Sequence, residues 1–148
     1  MMNTLLLVDR SATQAGAIRA HGPNASLSFA KLKALLAPDS EMVVWDHRPS
    51  DGLQRAVELS GGKLIGYDRD GSGEAENGMA VTALCAPDTV RKIIFVTGSK
   101  GITPVLQELA LDDQLEIVVA GYRTSIALAL ARIPGITIVE LDLFDVTR

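Results

Sequence analysis

Three short apolar runs, Thr4–Val8, Glu41–Trp45 and Lys63–Tyr67, lead directly into Asp9, Asp46 and Asp68. A fourth run, Lys92–Val96, leads into Thr97-Gly98-Ser99-Lys100-Gly101. Carboxylates gathered at strand ends are the ligand type that Mg²⁺ prefers, with water or substrate phosphate completing its shell. Aspartate is equally at home after a strand because its side chain caps turns. The Thr97–Gly101 turn offers another chemistry. Its backbone amides, with the start of the helix that follows and the charge of Lys100, could hold an anion. It lacks the Gly-x-x-x-x-Gly-Lys-Ser/Thr spacing of a nucleotide P-loop, and neither Gly61-Gly62 nor Gly71-Ser72-Gly73 forms a dinucleotide fingerprint.

The remaining reactive types lack partners in sequence. His21 and His47 are the only imidazoles, and His47 follows Asp46 on a strand, where neighbours face opposite ways. Ser11 and Ser99 would need a positioned base to act as nucleophiles, and no nucleophile-elbow sequence is present. Cys85 lies among Ala83, Leu84 and Ala86, where packing is its expected role. Trp45, Tyr67 and Tyr122 fall at or just past strand ends, where they could stack on bases or pack at the core rim.

The elements that must position these residues alternate along the whole chain. Besides the four runs above, Leu115–Ala120 and Ile136–Leu141 have strand length and are rich in isoleucine and valine. Ile93-Ile94-Phe95-Val96 is apolar at successive positions, which predicts a strand buried on both faces, near the sheet centre. Ser26 or Ser28 caps a helix carrying Phe29, Leu32, Leu35 and Leu36, and Ser50-Asp51 opens one carrying Leu53, Val57 and Leu59. A third helix spans about Ala75 to Ala86, Thr103-Pro104 begins a fourth, and Thr124 caps the last, Ser125–Arg132. Ser11–Ala25 and Asp68–Gly73 are the most irregular stretches, with a short helix over Thr13–Ala20 the one element suggested there. Alternation of this kind predicts an α/β three-layer sandwich with a mostly parallel central sheet of about five or six strands. Residues 1–148 read as one domain, without linker or repeat.

Composition narrows the function classes. Hydrophobic residues at 47% and charged residues at 22% exclude disorder and coiled coil. A formal net charge of −4 argues against a broad basic surface that wraps nucleic acid, while leaving room for a local basic patch. One cysteine excludes a disulfide framework and fits a reducing, cytoplasmic compartment. The apolar run Leu5–Val8 is far short of the ~20 residues of a membrane span and lacks a basic leader, so neither signal peptide nor membrane anchor is expected.

The order of motifs resembles the NYN family of PIN-like ribonuclease domains over nearly the whole chain, in layout more than in identity. It comprises Leu5-Leu6-Leu7-Val8-Asp9, the acidic helix from Glu74 to Leu84, Ile93 to Val105, Ile117 to Tyr122, and Ile138 to Asp142. In that family, Asp9 would match the aspartate ending the first strand, with Ala12 at the position of an asparagine. Glu76 would match the first of two helix acids, with Thr82 at the second. Thr97-Gly98-Ser99-Lys100-Gly101-Ile102 would align with a turn whose two aspartates are here Ser99 and Gly101. The resemblance implies metal ligation by clustered carboxylates, Mg²⁺ or Mn²⁺ activating water for RNA cleavage. Asp9 and Glu76 would be the catalytic and metal-binding residues left, with Asp68, Asp70 or Glu74 as substitutes.

Three functional readings result. The first is a degenerate, pseudo-nuclease NYN-like module that binds RNA or a nucleotide, or acts in regulation. Arg10, Ser11, Thr97, Gly98, Ser99 and Lys100, with Arg123 nearby, would hold the phosphate, since losing acids beside Arg10 and Lys100 turns a cation site toward an anion site. The second is an active Mg²⁺- or Mn²⁺-dependent endoribonuclease with a rearranged acid set. The third is an unrelated α/β domain binding a small phosphorylated ligand at Thr97–Lys100. A homodimer through the apolar edge Ile136-Thr137-Ile138-Val139 is a further expectation, the alternative being that the Phe144 segment covers it.

Overall fold

The computed structural model describes residues 3–69, 73–126 and 128–148. Its frame is a six-stranded sheet made of β1 (Thr4–Asp9), β2 (Glu41–His47), β3 (Gly62–Tyr67), β4 (Lys92–Val96), β5 (Glu116–Gly121) and β6 (Ile136–Glu140). All neighbours are parallel, in the order β3-β2-β1-β4-β5-β6. The chain is therefore an α/β three-layer sandwich. All six apolar runs of the sequence are strands, and Ile93 to Val96 is central and fully buried, as continuous apolarity requires.

Side-chain alternation divides the core into two layers. Leu5, Leu7, Val43, Ile93, Phe95, Ile117 and Val119 face α4 (Glu74–Leu84), α5 (Thr103–Leu109) and α6 (Leu128–Ala131). Leu6, Val8, Met42, Val44, Ile94, Val96 and Val118 face α1 (Arg10–His21), α2 (Phe29–Leu36) and α3 (Asp51–Leu59). Leu141 and Val146 close the second layer, where Ser28 N–H donates to Val146 O and Arg148 N–H to Ser26 O. Among the described residues no helix is long and apolar enough to cross a membrane.

Several local readings change. The stretch after Asp9 is a full helix, α1, starting at Arg10 without a connecting loop. Its buried face consists of the small residues Thr13, Gly16 and Ala17, which give little apolar periodicity to read. Ser28, not Ser26, caps α2, accepting from Lys31 N–H at 3.2 Å. Thr103 does not cap α5. Its hydroxyl donates back to Lys100 O at 2.6 Å, while Ser99 caps a preceding 3-10 turn over Lys100–Ile102. The last helix begins at Leu128, so Thr124 lies in the turn before it.

Trp45 ends the apolar part of β2 and lies against α4 at Gly78. A Cβ there would overlap the indole nitrogen, so a glycine is tolerated mid-helix in exchange for close approach of the helix to the sheet. Gly78→Ala is expected to destabilise the fold by about 1–3 kcal/mol through overpacking, although alanine is the better helix former. Urea denaturation with an unchanged m-value would register it, and a variant as stable as the parent would contradict this packing.

Candidate functional site

Strand order fixes where a site can form. From β1 the chain winds one way through β2 and β3, and from β4 the other way through β5 and β6. The crossovers leave β1 and β4 in opposite directions, so a crevice opens at their carboxyl ends. Asp9 ends β1, Thr97 and Ser99 follow β4, and the first turn of α4 brings Glu74 and Glu76 alongside. The resulting cleft is about 370 Å³, with Ser11 and Ala12 at one side and His47 and Tyr67 at another.

A hydrogen-bonded chain joins its floor. Asp9 is buried, and Oδ1 accepts the Ala12 N–H at 3.3 Å, which makes the aspartate the cap of α1. Asp9 Oδ2 accepts the Thr97 hydroxyl at 3.4 Å, and that hydroxyl accepts Ser99 N–H at 3.2 Å. Ser99 Oγ donates to Glu76 Oε1 at 2.7 Å and accepts Gly101 N–H at 3.2 Å. The other oxygen, Glu76 Oε2, occupies the space a Gly101 side chain would need. Glu76 therefore fills the place that an acid on this turn would take, and glycine at 101 is what admits it.

Burial raises the Asp9 carboxyl above the ordinary aspartate range. The bonds from Ala12 and Thr97 oppose that rise, and the charges of Glu76 and Asp46 add to it. Glu74 and Glu76 also lie in the first turn of α4, where negative charge complements the helix dipole.

The predicted anion contacts are divided by this geometry. Arg10 Nη1 lies 3.5 Å from Asp46 Oδ1, and the Ser11 hydroxyl donates to that oxygen at 3.1 Å. Asp46 is buried, so Arg10 is spent on neutralising it and is not an open phosphate contact. The Ser99 amide donates to the Thr97 hydroxyl, the Gly101 amide to the Ser99 hydroxyl and the Thr97 amide to Ala120 O, so three of the five amides of the expected Thr97–Gly101 cradle are occupied internally. Gly98 packs against the Ser125 carbonyl, where no side chain fits. Lys100 remains exposed, without an ion pair among the described residues.

The shared cation site considered for Asp9, Asp46 and Asp68 is not formed. Among the described residues no three of His, Cys, Asp and Glu are placed to hold a metal ion. Asp9 and Glu76 line one cleft, where both Asp9 oxygens and Glu76 Oε1 accept hydroxyl or amide protons, so a cation there would compete with those donors. Asp70, a proposed substitute, lies outside the described residues.

Of the aromatic residues expected at strand ends, Tyr67 lines the cleft, joined there by His47. His47 and Tyr67 are register partners at the ends of β2 and β3, and their rings stand 5.6 Å apart at 43°. His47 Nε2 is 3.0 Å from Asp68 O. Two aromatic residues at matching ends of adjacent strands were the legible signal. His21 instead meets the edge of buried Tyr122, away from the cleft floor.

No known family profile matches the chain, and no curated protein does. A solved structure does resemble it: a protein of unknown function from Vibrio parahaemolyticus, with TM-score 0.74 and 14% sequence identity. The likeness covers 94% of this chain and 93% of that one, and it shows the shared α/β fold.

Because Asp9 is more readily protonated in the fold than in the unfolded chain, its ionisation costs stability as pH rises above the ordinary aspartate range. Asp9→Asn keeps a capping oxygen and removes the charge. The variant is expected to match or exceed the parent in stability at neutral pH, with its advantage shrinking on acidification toward pH ~4. Denaturant titrations at both pH values test this, and an advantage that grows on acidification would contradict it.

Proposed function

We propose that this chain is a degenerate NYN-type, PIN-like domain that works in the cytoplasm as an RNA- or nucleotide-binding or regulatory module, with nuclease activity lost or weak. The observation that carries this reading is the 2.7 Å bond from Ser99 to Glu76, with Glu76 filling the space above Gly101. Where a nuclease of this type needs carboxylates turned on a cation, hydroxyl protons satisfy them here. Activation of water and stabilisation of a leaving oxygen both lose their source. Lys100, beside the cleft and exposed, is the charge left for a phosphate.

A second reading, the Mg²⁺- or Mn²⁺-dependent ribonuclease, is favoured by the raised Asp9 carboxyl. Repulsion from Glu76 and Asp46 contributes to that rise, and a bound cation would relieve it. The third, a phosphorylated small ligand held by the amides of the Thr97–Lys100 turn, is disfavoured because the Thr97 and Ser99 N–H groups already have acceptors.

Labelled single-stranded RNA, incubated with Mg²⁺ or Mn²⁺ and in parallel with EDTA, separates the readings. The expected result is no metal-dependent cleavage, binding that persists in EDTA, and binding weakened roughly fivefold or more by Lys100→Glu. Cleavage that requires both the metal and Asp9 would establish the second reading in place of the first. Binding indifferent to Lys100→Glu would remove the phosphate role of that residue.

A further inference from the structure

The two edges of the sheet are built differently. On β3, Lys63 is exposed, Gly62 and Gly66 interrupt the apolar pattern, and Pro49 lies over Gly66. Charge, glycine and a covering proline are the usual guards against pairing with another strand. On β6, Ile136, Thr137, Ile138 and Val139 carry no charge, and there is no proline within the strand. β6 pairs with β5 alone, and its outer edge makes no backbone hydrogen bond among the described residues. The Phe144 segment does not cover that edge. It lies on the α2 face, where Phe144, Val139, Thr137 and Leu35 line a groove of about 270 Å³.

An edge of unmet amides and carbonyls calls for another strand, and charge selects its direction and identity. Ile136 and Ile138 pack toward the α6 layer, and Glu140 follows them on that face by alternation. Arg132 follows α6 directly, at the amino end of β6, so a cation and an anion sit at opposite ends of one strand on one face. Neither has an ion pair among the described residues. A two-fold axis perpendicular to the sheet keeps each face continuous and reverses strand direction. It brings Arg132 of each copy toward Glu140 of the other, whereas parallel addition of a copy would align like charges.

We propose that β6 is a self-association edge, through which a second copy of this chain joins antiparallel to form one continuous sheet across a two-fold. Exposed Leu143 and Phe144, just past the carboxyl end of β6, offer apolar area beyond the strand pair.

Sedimentation of the full chain over a wide concentration range tests this. The parent is expected to be a dimer. Arg132→Glu and Glu140→Lys should each weaken dimerisation roughly tenfold or more, and the double variant should recover it. Thr137→Lys, which places like charges near the axis, should also yield monomer, and circular dichroism checks that each variant stays folded. A parent that is monomeric throughout, a dimer that these changes leave intact, a double variant that fails to recover, or open-ended assembly would each overturn the proposal.

Discussion

Ser99 stands between two roles at once: its hydroxyl gives a proton to Glu76 and takes the N–H of Gly101. Both contacts are needed for the turn after β4 to take its shape. The first anchors the start of α4 to the sheet edge, and the second caps the 3-10 turn that leads into α5. Because the Glu76 carboxylate projects over Gly101, any side chain at 101 would displace that carboxylate and disturb its bond with Ser99.

The electrostatics of the crevice follow from the same arrangement. Asp9 caps α1 from a buried position, with Asp46 nearby on β2 and Glu76 above. Arg10 and Ser11, the first residues of α1, answer the charge of Asp46. Asp9, Asp46 and Glu76 each receive protons from donors of this chain, and burial makes the charge of Asp9 costly. An acidic floor beside an aromatic wall also places any phosphate at the rim, where Lys100 lies, and not at the floor.

The sheet was legible because parallel strands buried on both faces must be continuously apolar, a rule that β1, β2, β4 and β5 follow and that the edge strands β3 and β6 meet only in part. Helices with an apolar stripe, α2 and α3, were legible with their capping serines. α1 was legible only in part, as the short helix over Thr13–Ala20, since a helix that packs through Thr13, Gly16 and Ala17 leaves no stripe in the sequence. At the site, the aspartate at the end of β1 and the turn after β4 could be placed together. What sequence could not show was pairing. Arg10 reads as a free cation until Asp46 is found beside it, and Ser99 reads as a lost acid until Glu76 is seen occupying its neighbour's space. Spacing along the chain places residues on an edge, while the identity of each hydrogen-bond partner depends on helix positions set by packing.

Hydroxyl and amide protons of this chain occupy both oxygens of Asp9 and Oε1 of Glu76, where a nuclease of this type would turn carboxylates on a cation. Titration of the protein with Mn²⁺, followed through water-proton relaxation and repeated with Asp9→Asn and Ser99→Asp, addresses it directly. Weak binding by the parent, indifferent to Asp9→Asn and strengthened by Ser99→Asp, is the result expected if the hydroxyl has displaced a ligand. Tight binding by the parent that is lost with Asp9 would contradict it and return the crevice to metal chemistry.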